Sequence, residues 1–277
     1  MELPRTLVAA WPHEQAWLDE LPALAAECAD RWSLELERPV ETPHSLVVPA
    51  GDAVLKLNAP SHFEADHEAD ALERWDGNGA VRLLARDDAR RALLLERCRP
   101  GTELWDSGVE ELDVFPLLLE RLSRRAVAPH HFRTLASEAA RWAEEVPERY
   151  ERAGRPFERR LLDFALHVFA TVDGDAMQLA NQDLHGGNVL SAEREPWLVI
   201  DPKPLVGEPE LDGVGLLRNA ALRGDSIRRT LDVLATLDLD PERLRGWGMA
   251  HALAWAWDDR HGWSPELVAA GRAILEA

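Results

Sequence analysis

The chain reads NQDLHGGNVLSAEREPWLVID from Asn181 to Asp201. Within this stretch, Asp183 and Asn188 form a D-x-x-x-x-N loop, and Asp201 follows the apolar run 197–200. Phosphoryl transfer needs a carboxylate near the acceptor hydroxyl and oxygen ligands that hold Mg²⁺ across the phosphates. The stretch therefore predicts a phosphoryl-transfer site, with Asp183 as the catalytic residue and Asn188 and Asp201 as metal ligands. A solvated glycine turn is the alternative interpretation.

On either side of this stretch, hydrophobic periodicity predicts a β-rich first part and a helical second part. In the first part we expect helices at 13–30 and 61–76, and strands at 33–37, 45–49, 53–57, 80–85 and 92–98. In the second part we expect helices at 109–126, 129–145 and 148–172, helices from about 225, 241 and 264, and a hairpin at 189–190 and 197–200. This order predicts an α+β, two-lobed fold like that of eukaryotic protein kinases, with a five-stranded N-lobe at 1–98 and a helical C-lobe at 99–277.

The composition limits the classes of partner. The formal net charge of −19 over 277 residues repels nucleic acid and anionic membranes and favours a cationic small molecule, although an acidic surface can also serve solubility alone. No run of eighteen apolar residues occurs, and the first ten residues lack a cationic patch, so we expect a cytoplasmic protein without a membrane segment. Cys28 and Cys98 lie in unrelated segments, which predicts reduced thiols. Oligomeric state has no signature in the sequence.

Two strings of residues carry a more specific resemblance. DLHGGNVL, at residues 183–190, resembles the catalytic loop of aminoglycoside phosphotransferases. REPWLVIDPKPLVG, at 194–207, resembles the branch with streptomycin 6-phosphotransferase and hydroxyurea phosphotransferase, and the likeness extends at lower clarity over 33–219. This chain has Asn181 where the family loop usually has a bracing histidine, and Asp201-Pro-Lys-Pro replaces the Asp-Phe-Gly of protein kinases. The resemblance implies a small-molecule kinase that uses ATP and Mg²⁺, and a protein substrate is not expected.

Lysine occurs at only two positions, Lys56 and Lys203, and arginine is used at every other Lys-or-Arg position. The resemblance makes Lys56 the lysine that bridges the oxygens of the triphosphate, and such a lysine is held by a helix glutamate. Glu64 and Glu68 are both candidates, but Ser61 and Glu64 match an S-x-x-E capping box that would engage Glu64 at the start of the helix. We therefore expect Glu68, on the apolar stripe of the helix, to pair with Lys56. An exposed lysine and an exposed glutamate are the alternative.

The resemblance also implies where a nucleotide binds. No glycine-rich loop occurs, so the turn 41–45 is expected to cover the phosphates with donors of Thr42 and Ser45. Backbone groups of Glu96 and Cys98 are expected to meet the base, and the sequence does not distinguish ATP from GTP.

Lys203 has two possible roles, since it follows the metal-ligand Asp201 by two residues. Its ammonium either contacts the phosphates or pairs with Glu208 or Asp212 and braces the loop. The sequence favours neither.

The acceptor site has the weakest signature. Trp255, Asp258 and Asp259 are spaced i, i+3 and i+4, so on a helix they share one face, and an indole beside carboxylates suits a guanidinium or ammonium group. Glu208 and Asp212 are equally open candidates. The alternative is a core tryptophan with two solvated aspartates.

These observations predict an ATP-dependent phosphotransferase that acts on a hydroxyl of a small, cationic acceptor. The family resemblance implies an aminoglycoside such as streptomycin, and hence antibiotic resistance. Two alternatives stay open: a kinase of another metabolite, such as a sugar, an alcohol or a hydroxyurea-like compound, and a nucleotide-binding pseudokinase, suggested by Asn181 in place of histidine. The four residues Lys56, Asp183, Asn188 and Asp201 argue against the pseudokinase.

Overall fold

The computed structural model describes residues 1–127 and 129–277, and these residues divide into two compact units. Unit 1 comprises Met1–Thr102 and Leu190–Asp201, and unit 2 comprises Glu103–Val189 and Pro202–Ala277. Unit 1 contains an antiparallel sheet and unit 2 is mostly helical, so the α+β class agrees with the prediction.

The helices and strands follow one another in a β-rich and then a helical order. The helices are α1 Arg5–Ala10, α2 Gln15–Trp32, α3 Glu68–Trp75, α4 Glu111–Leu122, α5 Leu135–Arg152, α6 Arg159–Ala170, α7 Val214–Arg223, α8 Ile227–Ala235, α9 Pro241–Ala254 and α10 Pro265–Glu276. The strands are β1 Ser45–Ala50, β2 Ala53–Asn58, β3 Leu83–Asp87, β4 Ala92–Glu96, β5 Arg124–Arg125, β6 Gln178–Asn181, β7 Val189–Ser191, β8 Trp197–Val199, β9 Pro204–Gly207, β10 Trp257–Asp258 and β11 Gly262–Trp263.

The sheet of unit 1 has four strands in the order β1-β2-β4-β3, all antiparallel. The prediction of a fifth strand at 33–37 is wrong. Beside β1, Glu37 N–H donates to the Pro49 carbonyl and Val40 forms a single bridge to Val47. Pro39 lies between these two contacts and has no N–H to donate, so no regular ladder forms there.

The segment Leu190–Asp201 groups with unit 1, whereas we expected it in the C-lobe. The reason is a backbone contact within that unit. Val199 N–H donates to the Gly79 carbonyl at 2.9 Å, and Val81 N–H donates to the Val199 carbonyl at 3.0 Å. The strand β8 that leads to Asp201 is therefore tied to the segment before β3.

The helix that carries Glu68 begins later than the sequence predicts. Residues Phe63–Ala65 form a 3₁₀ turn, α3 starts at Glu68, and its N-cap His67 makes no side-chain capping bond. The predicted capping box of Ser61 and Glu64 is therefore wrong. The helix places Glu68 on its buried side, against the sheet.

Unit 2 packs its helices around α9, whose Trp247 is fully buried. A three-stranded sheet, β5-β6-β9, pairs Asn181 with Pro204. Helix α7, which the sequence did not predict, contacts the loop after β6 so closely that a Cβ at Gly215 would lie 2.4 Å from the Leu184 carbonyl oxygen. The glycine therefore allows α7 to reach the loop that carries Asp183.

The predicted helix at 148–172 is divided in the structure: α5 ends at Arg152 and α6 starts at Arg159. The predicted starts of α9 and α10 agree within one residue. In the two described ranges, no helix combines the length and the apolar character that crossing a membrane requires.

Candidate active site

Unit 1 places one ammonium group between two carboxylates. Lys56 Nζ on β2 lies 2.7 Å from both carboxylate oxygens of Glu68 on α3, and 2.6 Å from Oδ1 of Asp201. Burial lowers the pKa of Lys56, but the charges of Asp201 and Glu68 outweigh burial and raise it, so the ammonium stays protonated. Burial raises the pKa of Glu68 against the lowering effect of the Lys56 charge. When both carboxylates are ionised, one cation facing two carboxylates gives this group, which we call the lysine-centred group, a net negative charge.

Asp201 adopts an unusual backbone conformation. Its φ is +48°, in the left-handed region that residues other than glycine rarely occupy. Aspartate is one of the side chains that tolerate this region, and such outliers concentrate at functional sites. The turn directs Oδ1 to Lys56 while the side chain stays 27% exposed, so the carboxylate is accessible to a cation.

Unit 2 shows the opposite arrangement, one carboxylate between two cations. Lys203 Nζ donates to Asp183 Oδ2 at 2.7 Å, and Arg218 Nη2 donates to Asp183 Oδ1 at 2.5 Å. All three side chains are less than 10% exposed. Burial raises the pKa of Asp183, but Lys203, Arg218 and His185 together lower it, so the carboxylate stays ionised. We call these residues the aspartate-centred group.

Asn181 holds the two segments of the aspartate-centred group together. Its Oδ1 accepts the N–H of Asp183 at 3.2 Å and the N–H of Lys203 at 3.0 Å. Its own N–H donates to Asp212 Oδ1 at 2.7 Å. The asparagine thus braces the loop at the position where the family usually has histidine. Within the described part of the chain, the Nδ2 atom of Asn181 is buried without a hydrogen-bond acceptor.

Asn188 is fixed by its amide nitrogen, which donates to the Asp183 carbonyl at 3.1 Å. Its amide oxygen is therefore the side-chain atom suited to a cation. The loop between Asp183 and Asn188 is fixed by the His185 ring, which is stacked 4.8 Å from Trp105, and by the Gly186 N–H, which donates to Glu111 Oε1 at 3.0 Å.

The hydroxyl groups predicted to contact the nucleotide donate hydrogen bonds within unit 1 instead. Thr42 Oγ1 donates to the Ser45 carbonyl at 2.6 Å, and Ser45 Oγ donates to Asn58 Oδ1 at 2.5 Å. Glu96 N–H donates to the Arg82 carbonyl at 2.9 Å, so of its two backbone groups only the Glu96 carbonyl could meet a base. Cys98 is half-buried, and burial raises the pKa of its thiol to about 11, which fits an unreactive thiol.

Two of the predicted acceptor residues have structural partners instead. Glu208 accepts hydrogen bonds from Arg243, from Trp247 Nε1 at 2.9 Å and from Asp173 N–H at 2.8 Å. Asp212 is buried beneath Asn181, and burial raises the pKa of its carboxyl to about 7 against the lowering effect of the Asn181 N–H. The Lys203 ammonium, predicted either to contact the phosphates or to pair with Glu208 or Asp212, donates to Asp183 Oδ2.

The helical face proposed for Trp255, Asp258 and Asp259 does not exist. Helix α9 ends at Ala254, Trp255 lies in the turn after it, Asp258 lies in β10, and Asp259 lies in the turn after β10. The two aspartates are exposed, and Asp259 Oδ1 accepts Trp257 Nε1 at 2.7 Å. Trp255 instead lies beneath the Arg218 guanidinium, 4.6 Å from ring centroid to Cζ.

Sequence reasoning did not find Arg218 and His251. Arg218 is 5% exposed and lies in α7 between Leu217 and Asn219, and His251 is fully buried in α9. One signal was available, since an arginine within the mostly apolar run 214–222 is a candidate for a buried ion pair. Nothing in the sequence pointed from Arg218 to Asp183, because the contact joins residues 35 positions apart.

The fold and these two groups define a protein-kinase-like phosphotransferase. Two solved structures share the fold: choline kinase LicA from Streptococcus pneumoniae, with a TM-score of 0.66 at 12% identity over 93% of this chain and 98% of that one, and an aminoglycoside phosphotransferase in a ternary complex with AMP-PNP and hygromycin B, with a TM-score of 0.64 at 14% identity over 87% and 93%. At these identities the likeness shows the fold alone, and it confirms the predicted fold class.

The family follows from sequence comparison. A family model described as aminoglycoside/hydroxyurea antibiotic resistance kinase matches residues 31–262. Streptomycin 6-kinase of Streptomyces griseus is 37% identical over 95% of this chain and 92% of that protein, and hydroxyurea phosphotransferase of Kitasatospora aureofaciens is 37% identical over 94% and 80%. The chain belongs to the aminoglycoside/hydroxyurea antibiotic resistance kinase family. It is an ATP-dependent small-molecule phosphotransferase, which confirms the predicted enzyme class.

Proposed function

We propose that this enzyme transfers the γ-phosphoryl group of Mg-bound ATP to a hydroxyl of an aminoglycoside such as streptomycin, and so confers resistance. The observation that carries the proposal is Asp183, buried and ionised between Lys203 and Arg218. The identity to streptomycin 6-kinase and the net charge of −19, which suits a polycationic acceptor, support the substrate class.

The chemistry follows from the aspartate-centred group. Asp183 orients the acceptor hydroxyl and accepts its proton as the hydroxyl oxygen bonds to the γ-phosphorus. The bond from that phosphorus to the bridging oxygen breaks, and its electron pair leaves with ADP. Lys203 can exchange its contact with Asp183 for a contact with an oxygen of the transferring phosphoryl group. The aspartate-centred group carries a net positive charge, which attracts the negative charge of that phosphoryl group.

The lysine-centred group handles the nucleotide in this proposal. Lys56 contacts phosphate oxygens while Glu68 holds its ammonium in place. The backbone of the turn 41–45 would cover the phosphates, since the Thr42 and Ser45 hydroxyls donate within unit 1. The Glu96 carbonyl and the backbone at Cys98 would meet the base. ATP is the proposed donor, and GTP is the alternative.

The residues present fit Mg²⁺. The partly exposed Asp201 carboxylate and the Asn188 amide oxygen are hard oxygen donors of the kind that this ion prefers. Among residues 1–127 and 129–277 no cluster of three or more His, Cys, Asp or Glu side chains could hold a metal ion, and Mg²⁺ held mainly by phosphate and water needs none. When bound, it neutralises charge that develops on the phosphates.

A second acceptor deserves the same assay, because hydroxyurea phosphotransferase matches this chain at the same identity of 37%. Hydroxyurea is small and uncharged, so the acidic surface would not attract it electrostatically. The two acceptors therefore predict different salt dependence: kcat/KM falls with ionic strength for streptomycin and stays constant for hydroxyurea.

The test is coupled ADP release with Mg-ATP and a panel of streptomycin, other aminoglycosides, hydroxyurea and simple sugars. We expect turnover with streptomycin, and a loss of about 10³-fold in kcat for Asp183→Asn, which keeps the side-chain shape but removes the base. ATP binding by Asp183→Asn should stay near wild type. Turnover with no member of the panel, despite ATP binding, would contradict the proposal.

A further inference from the structure

Arg218 is held on several sides at once. Nη2 donates to Asp183 Oδ1 at 2.5 Å, and Nη1 lies 3.4 Å from His251 Nδ1. The guanidinium lies over the Trp255 ring, with Cζ 4.6 Å from its centroid. The side chain is 7% exposed. A planar group fixed by a carboxylate, an imidazole and an indole has little freedom to rotate.

His251 extends this arrangement to the residue that precedes Asp183. Its Nε2 lies 3.1 Å from Gln182 Oε1, which can only accept, so Nε2 carries the proton and Nδ1 presents its lone pair to Arg218. Burial and the Arg218 charge lower the pKa of His251 well below its ordinary value, which agrees with this neutral tautomer. Gln182, His251 and Arg218 thus form one chain of hydrogen bonds that ends at Asp183 Oδ1.

Lys203 holds the other oxygen of Asp183 in a different way. Its ammonium donates to Oδ2 at 2.7 Å. A lysine ammonium at the end of a four-carbon stem has more rotatable bonds and less directional donors than a planar guanidinium. The two oxygens of one carboxylate are therefore unequal: Oδ1 has a fixed partner and Oδ2 has a partner that can turn away. Only Oδ2 can become available to a substrate without disturbing a buried, stacked guanidinium.

We propose that Arg218 is a positioning residue that aligns Asp183 through Oδ1, so that Oδ2 is the oxygen that receives the acceptor hydroxyl and its proton. This inference rests on the proposed function. Arg218 touches neither substrate. It keeps its charge and its contact with Asp183 throughout the reaction, whereas Lys203 exchanges Oδ2 for the phosphoryl group. Arg218, Trp255 and His251 then determine the rate of the chemical step rather than substrate binding.

The test compares Arg218→Ala with wild type in the acceptor-dependent assay. We expect kcat to fall about 100-fold, with the KM values for ATP and acceptor within about threefold of wild type, because alignment acts after both have bound. Millimolar guanidinium chloride, well below denaturing concentrations, should restore kcat at least tenfold by filling the space beside Trp255. Equal concentrations of urea or sodium chloride should restore nothing.

Arg141→Ala is the matched control. Arg141 also lies over an indole, 5.9 Å from the Trp142 centroid, and also pairs with carboxylates, at 2.6 Å from Glu138 and 2.7 Å from Glu145, but it does not contact Asp183. It should keep wild-type kcat and gain nothing from guanidinium. Arg218→Lys provides a second variant with the charge retained and the planar fork lost, and we expect at least a tenfold loss of kcat with an unchanged melting temperature.

The outcomes separate the two proposals. Wild-type turnover that Arg218→Ala or a folded Arg218→Lys retains would overturn the role of Arg218 alone, as would a loss that appears in both KM values rather than in kcat. A loss that guanidinium does not restore, in a variant that melts and binds ATP like wild type, would do the same. If wild type phosphorylates no acceptor, the proposed function fails and the role of Arg218 fails with it.

Discussion

The lysine-centred group of unit 1 and the aspartate-centred group of unit 2 are opposite in charge. In the first, one cation, Lys56, faces two carboxylates; in the second, one carboxylate, Asp183, faces two cations. Each group is buried enough that an unbalanced charge is costly without a partner. In the proposed function, a metal cation suits the first imbalance and a phosphoryl anion suits the second, so Mg-ATP would supply the charge that each group lacks.

The largest effect should come from breaking the lysine-centred group at its centre. Lys56→Met leaves Glu68 as a fully buried carboxylate without its cation, and we expect a loss of about 3–5 kcal/mol in the free energy of unfolding. The double variant Lys56→Met/Glu68→Gln should recover most of that stability but no kinase activity. Urea titration with an activity assay on the same samples measures both.

An exposed ion pair is the control for this experiment. Arg159 pairs with Asp163 at 2.7 Å, with both side chains more than half exposed, so Arg159→Met should lower the free energy of unfolding far less than Lys56→Met does. Equal losses of unfolding free energy for Lys56→Met and Arg159→Met would show that the Glu68 carboxylate does not depend on Lys56 for its burial.

Asp212 accepts the N–H of Asn181, the residue that holds the aspartate-centred group together. The contribution of Asp212 to stability can be tested by varying the pH. Its pKa of about 7 lies above the ordinary value near 3.8, so the folded state holds this proton more tightly than the unfolded state. Its contribution to stability is therefore complete below about pH 4 and is lost as the pH rises to about 7. Asp212→Asn, which keeps an oxygen acceptor for the Asn181 N–H, cannot lose it.

The measurement is the difference in unfolding free energy between wild type and Asp212→Asn at several pH values. We expect wild type to lose about 2–4 kcal/mol relative to the variant between pH 4 and pH 8, since each unit of pKa shift corresponds to about 1.4 kcal/mol. Two parallel curves would show that Asp212 titrates normally.

Removing one of the two cations in the aspartate-centred group should have a smaller effect, confined to catalysis. Lys203→Met leaves Asp183 paired with Arg218, so the fold should persist, and kcat should fall about 100-fold because the phosphoryl group loses a cation. Lys203→Arg should restore little, because a planar fork cannot replace a mobile ammonium. Steady-state kinetics with circular dichroism would decide. Wild-type kcat in Lys203→Met would exclude a role in transfer.

The smallest effect should come from the exposed turn between β10 and β11. Asp259→Asn keeps a partner for Trp257 Nε1, and we expect the acceptor KM and the stability to stay within twofold and about 0.5 kcal/mol of wild type. A tenfold rise in the KM for streptomycin would restore this aspartate as an acceptor ligand.

The sequence anticipated the parts of the molecule that depend on local signals. The Lys56 strand, the D-x-x-x-x-N loop and the hairpin that delivers Asp201 each lie within a short span, and the structure places Lys56 against Glu68. Glu68 was predicted partly because a capping box was expected to engage Glu64. That box does not form, so the prediction of Glu68 is right and this reason for it is wrong.

What sequence reasoning could not supply depends on contacts between distant residues or on where a helix stops. Arg218 contacts Asp183 from α7, a helix that is buried at most of its positions. Such a helix lacks the alternation of apolar and polar faces by which a helix is recognised in a sequence. Trp255 and the two following aspartates looked like one helical face, but α9 ends just before them. Glu208 and Asp212 carry buried carboxylates, and composition alone does not distinguish a structural carboxylate from a ligand.

The scarcity of lysine has a practical consequence. Lys56 and Lys203 are 5% and 6% exposed, and the chain has no other lysine. Apart from the terminal amine, an amine-reactive label can therefore attach only when one of the two groups opens. Mass-spectrometric labelling rates at the two lysines would report the local opening of each unit separately, without any engineered probe, and nucleotide should slow both.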